Sequence, residues 1–353
     1  MKRKVLFLGE TYRADAITWM NGLREFGDFD IITWELQTPS NSFKNRVLRI
    51  LEYMFCVLKI RKIIANEKPD IVIAERATSY GFLAALSGAK IIVIAQQGSS
   101  DLWPENSILY PIKKNIQNYA FKKATLIHAW GEVMVPAIIA ANVPRNKILV
   151  LQKGIDLRKF LCPNVKSYDT IKAIVTRSLL PEYGHECILN AFSILKSKNI
   201  PFELTIVGDG KMRASLEKLA VDLEIAANVH FLGRIAHEQL PSLLNQNNFY
   251  ISMAHTEGVS ASLFEAMACK CYPIVSKIPG NSAFVKLPEN GVLVPVGDSK
   301  TLAEAFFFAL DFKSFVRESI AFNLELVHNK ANYKTNMTII AKKYHDLINQ
   351  NLL

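Results

Sequence analysis

Short apolar runs recur along this chain at intervals that leave room for one helix between each pair, and that rhythm admits few folds. Residues 5–8, 29–34, 71–74, 91–95, 124–129 and 148–151 are such runs, separated by helix-length segments, the first an amphipathic stretch over 14–26. After a polar stretch around 163–168 the rhythm restarts with 171–176, 202–207, 229–232, 249–253, 272–275 and 291–294. Strands that alternate with helices pair in parallel and are covered on both faces. The reading is α/β, with two Rossmann-like doubly wound domains facing a central cleft, at 1–165 and 166–332, and a helical tail over 333–353. Ligands of such sheets sit beyond the carboxyl ends of the strands.

The chain has 353 residues, of which 50% are hydrophobic, enough for two well-filled cores. Lys2, Arg3 and Lys4 precede an apolar run of only four residues before Gly9, too short for a secretory signal. The longest other apolar run, 133–143, is broken by Pro136, so no membrane span is expected. Cys56, Cys162, Cys187, Cys269 and Cys271 are odd in number and scattered, which suits reduced thiols and a cytoplasmic setting. Cys269-Lys270-Cys271 is spaced one residue too short for a zinc knuckle and has no second cluster to complete it. Asp28-Phe29-Asp30 has the form of a metal-carrying motif but sits in an early turn, so no metal is expected.

Net charge is +10 and uneven: residues 1–150 carry 20 Lys/Arg against 13 Asp/Glu, leaving +7 of it in the first half. Such a surface faces nucleic acid, anionic lipid or an anionic substrate. Residues 46–64 read as a strongly apolar helix with mainly basic polar residues. It suits either the wet side of a core helix or a helix lying on an anionic bilayer, and Lys113, Lys114, Lys122 and Lys123 are compatible with the same surface. The interleaved basic and aromatic stripe of a nucleic-acid binder is absent.

The candidate chemistry lies in Glu257-Gly258-Val259-Ser260-Ala261-Ser262-Leu263-Phe264-Glu265, after the apolar run 249–253. This reads as a strand-to-helix turn, and the free N–H groups and dipole at a helix start bind anions. With a diphosphate on the amides, a ribose falls within reach of Glu265, about 7 Å along the axis. Glu257 then accepts from a hydroxylated group beyond the phosphates. The plainer alternative makes Glu257 an N-terminal cap and Glu265 a solvated residue.

Gly208-Asp209-Gly210 marks a tight turn. The dinucleotide fingerprint is missing after the first strand, where Gly9-Glu10-Thr11-Tyr12-Arg13-Ala14 stands, which argues against a dehydrogenase. Gly9 remains a candidate for ligand approach. His128 and His230 fall in apolar strands as core residues, while His185 and His255 fall in loops at the expected ligand side.

The second half resembles the retaining glycosyltransferases of family 4, which have the GT-B fold. The resemblance is carried by Thr256 through Ala268, by Pro279-Gly280-Asn281, Asn290-Gly291-Val292-Leu293-Val294 and Gly297-Asp298. Ile206-Val207-Gly208-Asp209-Gly210, Val229-His230-Phe231-Leu232-Gly233 and Lys153-Gly154-Ile155-Asp156 with Phe160 also fit. It covers most of 145–310, while the first 140 residues resemble the acceptor-binding domain only in rhythm.

The resemblance implies that Glu265 holds the ribose and Glu257 the hydroxyls of the donor sugar. The amides of Val259, Ser260 and Ala261, after Gly258, meet the diphosphate, and Arg177 binds the leaving diphosphate. Phe231 to Arg234 line the base pocket, and the last helix returns to the first domain. The implied activity is that of a hexosyltransferase-like enzyme of cell-surface polysaccharide or glycolipid assembly. It transfers a sugar from a nucleotide-diphosphate sugar to a saccharide or lipid-linked acceptor without metal or cofactor. Two departures stand out: Tyr183 replaces a lysine common before Gly184, and Gln96-Gln97-Gly98-Ser99-Ser100-Asp101 lacks a histidine that many relatives carry. A sugar-nucleotide epimerase of the same fold is the alternative enzyme, and a basic nucleic-acid-binding protein the non-enzymatic one. The protein is expected in the cytoplasm or at the inner face of the membrane.

Overall fold

The computed structural model describes residues 2–37, 43–98, 108–286 and 289–351, with the side chains of 43–51 and 54 outside the description. The chain divides into two compact units, one of Met1–Gly154 with Tyr333–Leu353 and one of Ile155–Asn332.

In the first unit, strands β1 (Lys4–Leu8), β2 (Asp30–Trp34), β3 (Ile71–Glu75), β4 (Ile92–Gln96), β5 (Leu126–Ala129) and β6 (Ile148–Val150) alternate with helices. These are α1 (Ala14–Gly27), α2 (Phe43–Glu67), α3 (Gly81–Leu86), α4 (Tyr110–Lys123) and α5 (Val135–Ala140). The strands pair in parallel in the order β2-β1-β3-β4-β5-β6. The order reverses between β1 and β3, the place where such sheets open a crevice beyond their strand ends.

The second unit repeats the scheme with β7 (Ile171–Thr176), α6 (His185–Ser197), β8 (Phe202–Val207), α7 (Arg213–Asp222), β9 (Val229–Gly233), α8 (Leu240–Gln246) and β10 (Phe249–Ser252). It continues through α9 (Ala261–Ala268), β11 (Tyr272–Ser276), α10 (Pro279–Ser282), β12 (Val292–Val294), α11 (Ser299–Asp311) and α12 (Lys313–Lys330). Its order is β12-β11-β10-β7-β8-β9, so the reversal falls between β7 and β10. All twelve apolar runs are strands. The β-branched runs of β3 and β4 are buried along their whole length, as parallel strands covered on both faces must be.

The boundary differs from the one expected at 165. Ile155 and Phe160 pack into the core beneath α9, and the Ile155 amide donates to the Ala331 carbonyl at 2.8 Å, so 155–165 belongs with the second unit. The expected boundary follows the polar stretch at 163–168, whereas the apolar residues before it already pack into the second unit. The last helix, α13 (Tyr333–Gln350), packs with the first unit. Tyr333, Met337, Ile340 and Tyr344 enter its core beside Trp19 and Leu23, and Tyr333 Oη donates to the Thr18 carbonyl at 2.7 Å.

Two expectations about histidine split. His128 is fully buried; Nε2 meets the Leu151 carbonyl at 2.6 Å and must be the protonated nitrogen, leaving Nδ1 to accept from Tyr344 Oη at 2.7 Å. His230 is not a core residue: β9 is an edge strand, and its imidazole faces outward, 2.6 Å from Glu203. Asp28 of the Asp-x-Asp pair caps α1 in a left-handed conformation and pairs with Lys2.

Candidate active site

The second unit brings its candidate residues together where its strand order reverses. Arg177 directly follows β7, and residues 253–260 lead from β10 to α9. Each of the two segments is closely approached by a glycine. A Cβ on Gly280 would lie 2.5 Å from the carbonyl oxygens of both Glu257 and Gly258, so α10 can approach that loop only without a side chain. Gly208 has φ +143° and lies against the Arg177 carbonyl, where a Cβ would come within 2.1 Å.

Arg177 is the hub. Its Nη2 contacts Glu257 at 2.7 Å from Oε1 and 2.8 Å from Oε2, and also Ser260 Oγ. Nη1 donates to Ser262 Oγ at 3.0 Å and Nε to Ser252 Oγ at 3.3 Å. The Tyr183 ring lies 5.9 Å from the guanidinium carbon. Arg177 and Glu257 expose only 11% and 15% of their side chains. Burial opposes the guanidinium's charge, yet the neighbouring Tyr250, Glu257, Tyr183 and Glu265 hold its pKa above the ordinary value. Tyr183 thus offers its ring face to the guanidinium.

The capping role considered for Glu257 belongs to Ser260, whose Oγ accepts from the Leu263 amide at 3.2 Å. The helix starts at Ala261, so Glu257 lies outside its first turn. Glu257, freed from capping, reaches Arg177. Glu265 is not a solvated residue either: it is 7% exposed, on the second turn of α9, with Oε1 2.9 Å from His237 Nε2. Val259 packs partly against the core below α9.

Phe231 is half-buried on β9, its carbonyl accepting from Arg213 at 3.2 Å; Arg234 is exposed just beyond Gly233. His185 is buried, and Nε2 meets the Ser178 carbonyl at 2.9 Å, with burial lowering its pKa, so it is a structural residue of the turn into α6. His255 is exposed and only its amide is engaged, by the Glu182 carbonyl at 2.8 Å.

Gly9 belongs to a separate polar group at the reversal point of the first sheet. A Cβ there would lie 2.6 Å from Glu75 Oε2, which accepts from the Glu10 amide at 2.9 Å. Gln97 donates to Glu75 Oε1 at 3.0 Å. Glu75 is 1% exposed, and burial raises its pKa. Arg76, which follows it at φ +59°, pairs with Glu10 at 2.5 Å. Glu75 ends an apolar strand and carries no motif, so nothing in its local pattern singles it out. Ser99, Ser100 and Asp101 lie outside the described residues. Among the described residues, no three His, Cys, Asp or Glu side chains are grouped to hold a metal.

This geometry stands with clear relatives. The glycosyl transferases group 1 model matches residues 163–317, and the glycosyl transferase 4-like model matches residues 4–129. The chain belongs to the group 1 glycosyltransferases. It is 23% identical over 336 residues to an uncharacterized glycosyltransferase of Methanocaldococcus jannaschii, MJ1178, covering 91% of this chain and 90% of that one. It is 26% identical over 283 residues to the capsular polysaccharide biosynthesis glycosyltransferase CapM of Staphylococcus aureus, covering 76% and 74%. Among solved structures, Anabaena Alr3699/HepE in complex with UDP matches with a TM-score of 0.78 at 16% identity, over 98% of this glycosyltransferase and 100% of that chain. At that identity the match establishes the GT-B fold.

Proposed function

We propose that this glycosyltransferase is a retaining enzyme of family 4 that moves a sugar from a nucleotide-diphosphate donor to a hydroxyl of a saccharide or lipid-linked acceptor, in assembly of a cell-surface polysaccharide or glycolipid. The observation that carries the reading is Arg177, 11% exposed and held by Glu257 and three serines at the reversal point of the second sheet. The bond from the anomeric carbon to the diphosphate breaks with oxocarbenium character, so catalysis rests on stabilising the departing diphosphate. Arg177, whose planar guanidinium spans two oxygens, and the amides of Val259, Ser260 and Ala261 take that role. Glu257 binds sugar hydroxyls, Glu265 the ribose, and Phe231 and Arg234 border the base. The acceptor hydroxyl attacks from the leaving-group face and passes its proton towards the phosphate. The scheme calls on no metal or cofactor.

The first unit is the acceptor side in this reading. Phe55 and Leu58 are each 62% exposed on α2 beside the exposed Lys59 and Lys62, which supports docking on an anionic membrane at its inner face. No helix among the described residues is long and apolar enough to cross a membrane.

The test is thermal stabilisation by UDP, GDP, ADP and CMP and their sugar conjugates. A ligand at a hundred times its Kd adds about 2.7 kcal/mol. One nucleotide class should raise the melting temperature, Glu265→Ala should abolish the rise, and Arg177→Ala should lower kcat by about 100- to 1000-fold, the cost of one oxyanion donor. An unaltered rate and shift in both variants would sink the site assignment.

A further inference from the structure

Glu265 is a carboxylate with 9% of its side chain exposed, and a carboxylate that far from water needs a donor. His237 meets it, with Nε2 2.9 Å from Oε1. The imidazole is held by two further features of the second unit. It opens the short turn His237–Gln239 before α8, and the Gln239 side chain anchors that turn by accepting from the Ala236 amide at 3.2 Å. Its ring also sits against Phe160, centroids 5.5 Å apart and planes at 60°, and Phe160 is buried in the core beneath α9. The imidazole thus packs one side against Phe160 on its way to Glu265, while 59% of the side chain faces solvent.

A carboxylate offers two oxygens with about four lone-pair positions, and a ribose offers two adjacent hydroxyl donors. With Oε1 tied to His237, rotation of the carboxylate is restricted, leaving Oε2 and the second lone pair of Oε1 for the two hydroxyls. We propose that His237 is a positioning residue for the nucleotide ribose, orienting Glu265 for simultaneous acceptance from both hydroxyls. This rests on the reading of Glu265 as the ribose partner.

The experiment measures Kd for UDP, GDP and ADP and for their 2′-deoxy analogues, by calorimetry, on wild type and on His237→Phe, His237→Asn and His237→Gln. Wild type is expected to prefer the ribonucleotide by about tenfold, the worth of a hydrogen bond to a charged group. His237→Phe and His237→Asn, which cannot reach Oε1, should cut that preference below about threefold, while the longer amide of His237→Gln restores most of it. A merely structural role would weaken both nucleotides equally and leave the ratio intact. An unchanged ratio in His237→Phe, or in His237→Asn should the first fail to fold, overturns the proposal alone. Failure of every nucleotide to bind wild type overturns the donor-site reading and this inference with it.

Discussion

The cation assigned to the leaving diphosphate is paired with the carboxylate assigned to the sugar, so Glu257→Gln separates two effects that usually travel together. Glu257 contacts Nη2 of Arg177 at 2.7 and 2.8 Å in a setting where both side chains are more than four-fifths covered. Removing one member of a buried pair outright costs about 3–5 kcal/mol because it strands the other charge. Glutamine keeps the shape and one acceptor, and Ser252, Ser260 and Ser262 continue to hold the guanidinium. The remaining loss is that of one charge-assisted hydrogen bond, about 2 kcal/mol. For a unit the size of Ile155–Asn332 this lowers the melting temperature by roughly 4–8 °C. The same substitution removes the internal anion with which a diphosphate competes. The free nucleoside diphosphate should therefore bind about tenfold more tightly, equivalent to about 1.4 kcal/mol, while kcat falls because the sugar hydroxyls lose a charged acceptor. Differential scanning calorimetry, titration calorimetry and a transfer assay on one preparation read all three. Weaker or unchanged nucleotide binding in a folded Glu257→Gln would refute the idea that Glu257 and the diphosphate share Arg177.

Three further outcomes follow from the geometry. Gly208→Ala drives a Cβ to 2.1 Å from the Arg177 carbonyl at a φ of +143°, so urea unfolding should show a loss above about 2 kcal/mol; a neutral result would contradict the described turn. His128 is buried with its pKa lowered to about 4 by burial, against an unfolded value of 6.5. The unfolded chain then binds the extra proton between those values, so stability is full above pH 6.5 and declines by about 2 kcal/mol on reaching pH 5; His128→Gln should flatten that decline in melts from pH 7 to 5. Leu58→Glu should reduce co-sedimentation with vesicles rich in anionic lipid at low salt, and equal sedimentation of both proteins, or none with wild type, would remove α2 from the membrane reading.

What the sequence determined by itself is the part governed by local physics. β-branched runs such as 71–74 and 91–95 read as strands from their length and composition, and the segments between them are long enough for the helical crossover that parallel pairing needs. The pairing partners of Arg177 were not legible in that way. Residues 75 to 85 positions apart in the chain meet there because β7 and β10 are neighbours where the sheet reverses, and strand order is a property of the whole unit. Glu257 as a pair for Arg177, Ser260 as the cap, His237 on Glu265 and Gln97 on Glu75 all depend on that neighbourhood. So does the true end of the first unit, since Ile155 and Phe160 declare their allegiance only by what they pack against. Periodicity fixes elements because it is a short-range signal, whereas the charge state and orientation of a buried side chain are fixed by groups that only the tertiary fold brings within hydrogen-bonding distance.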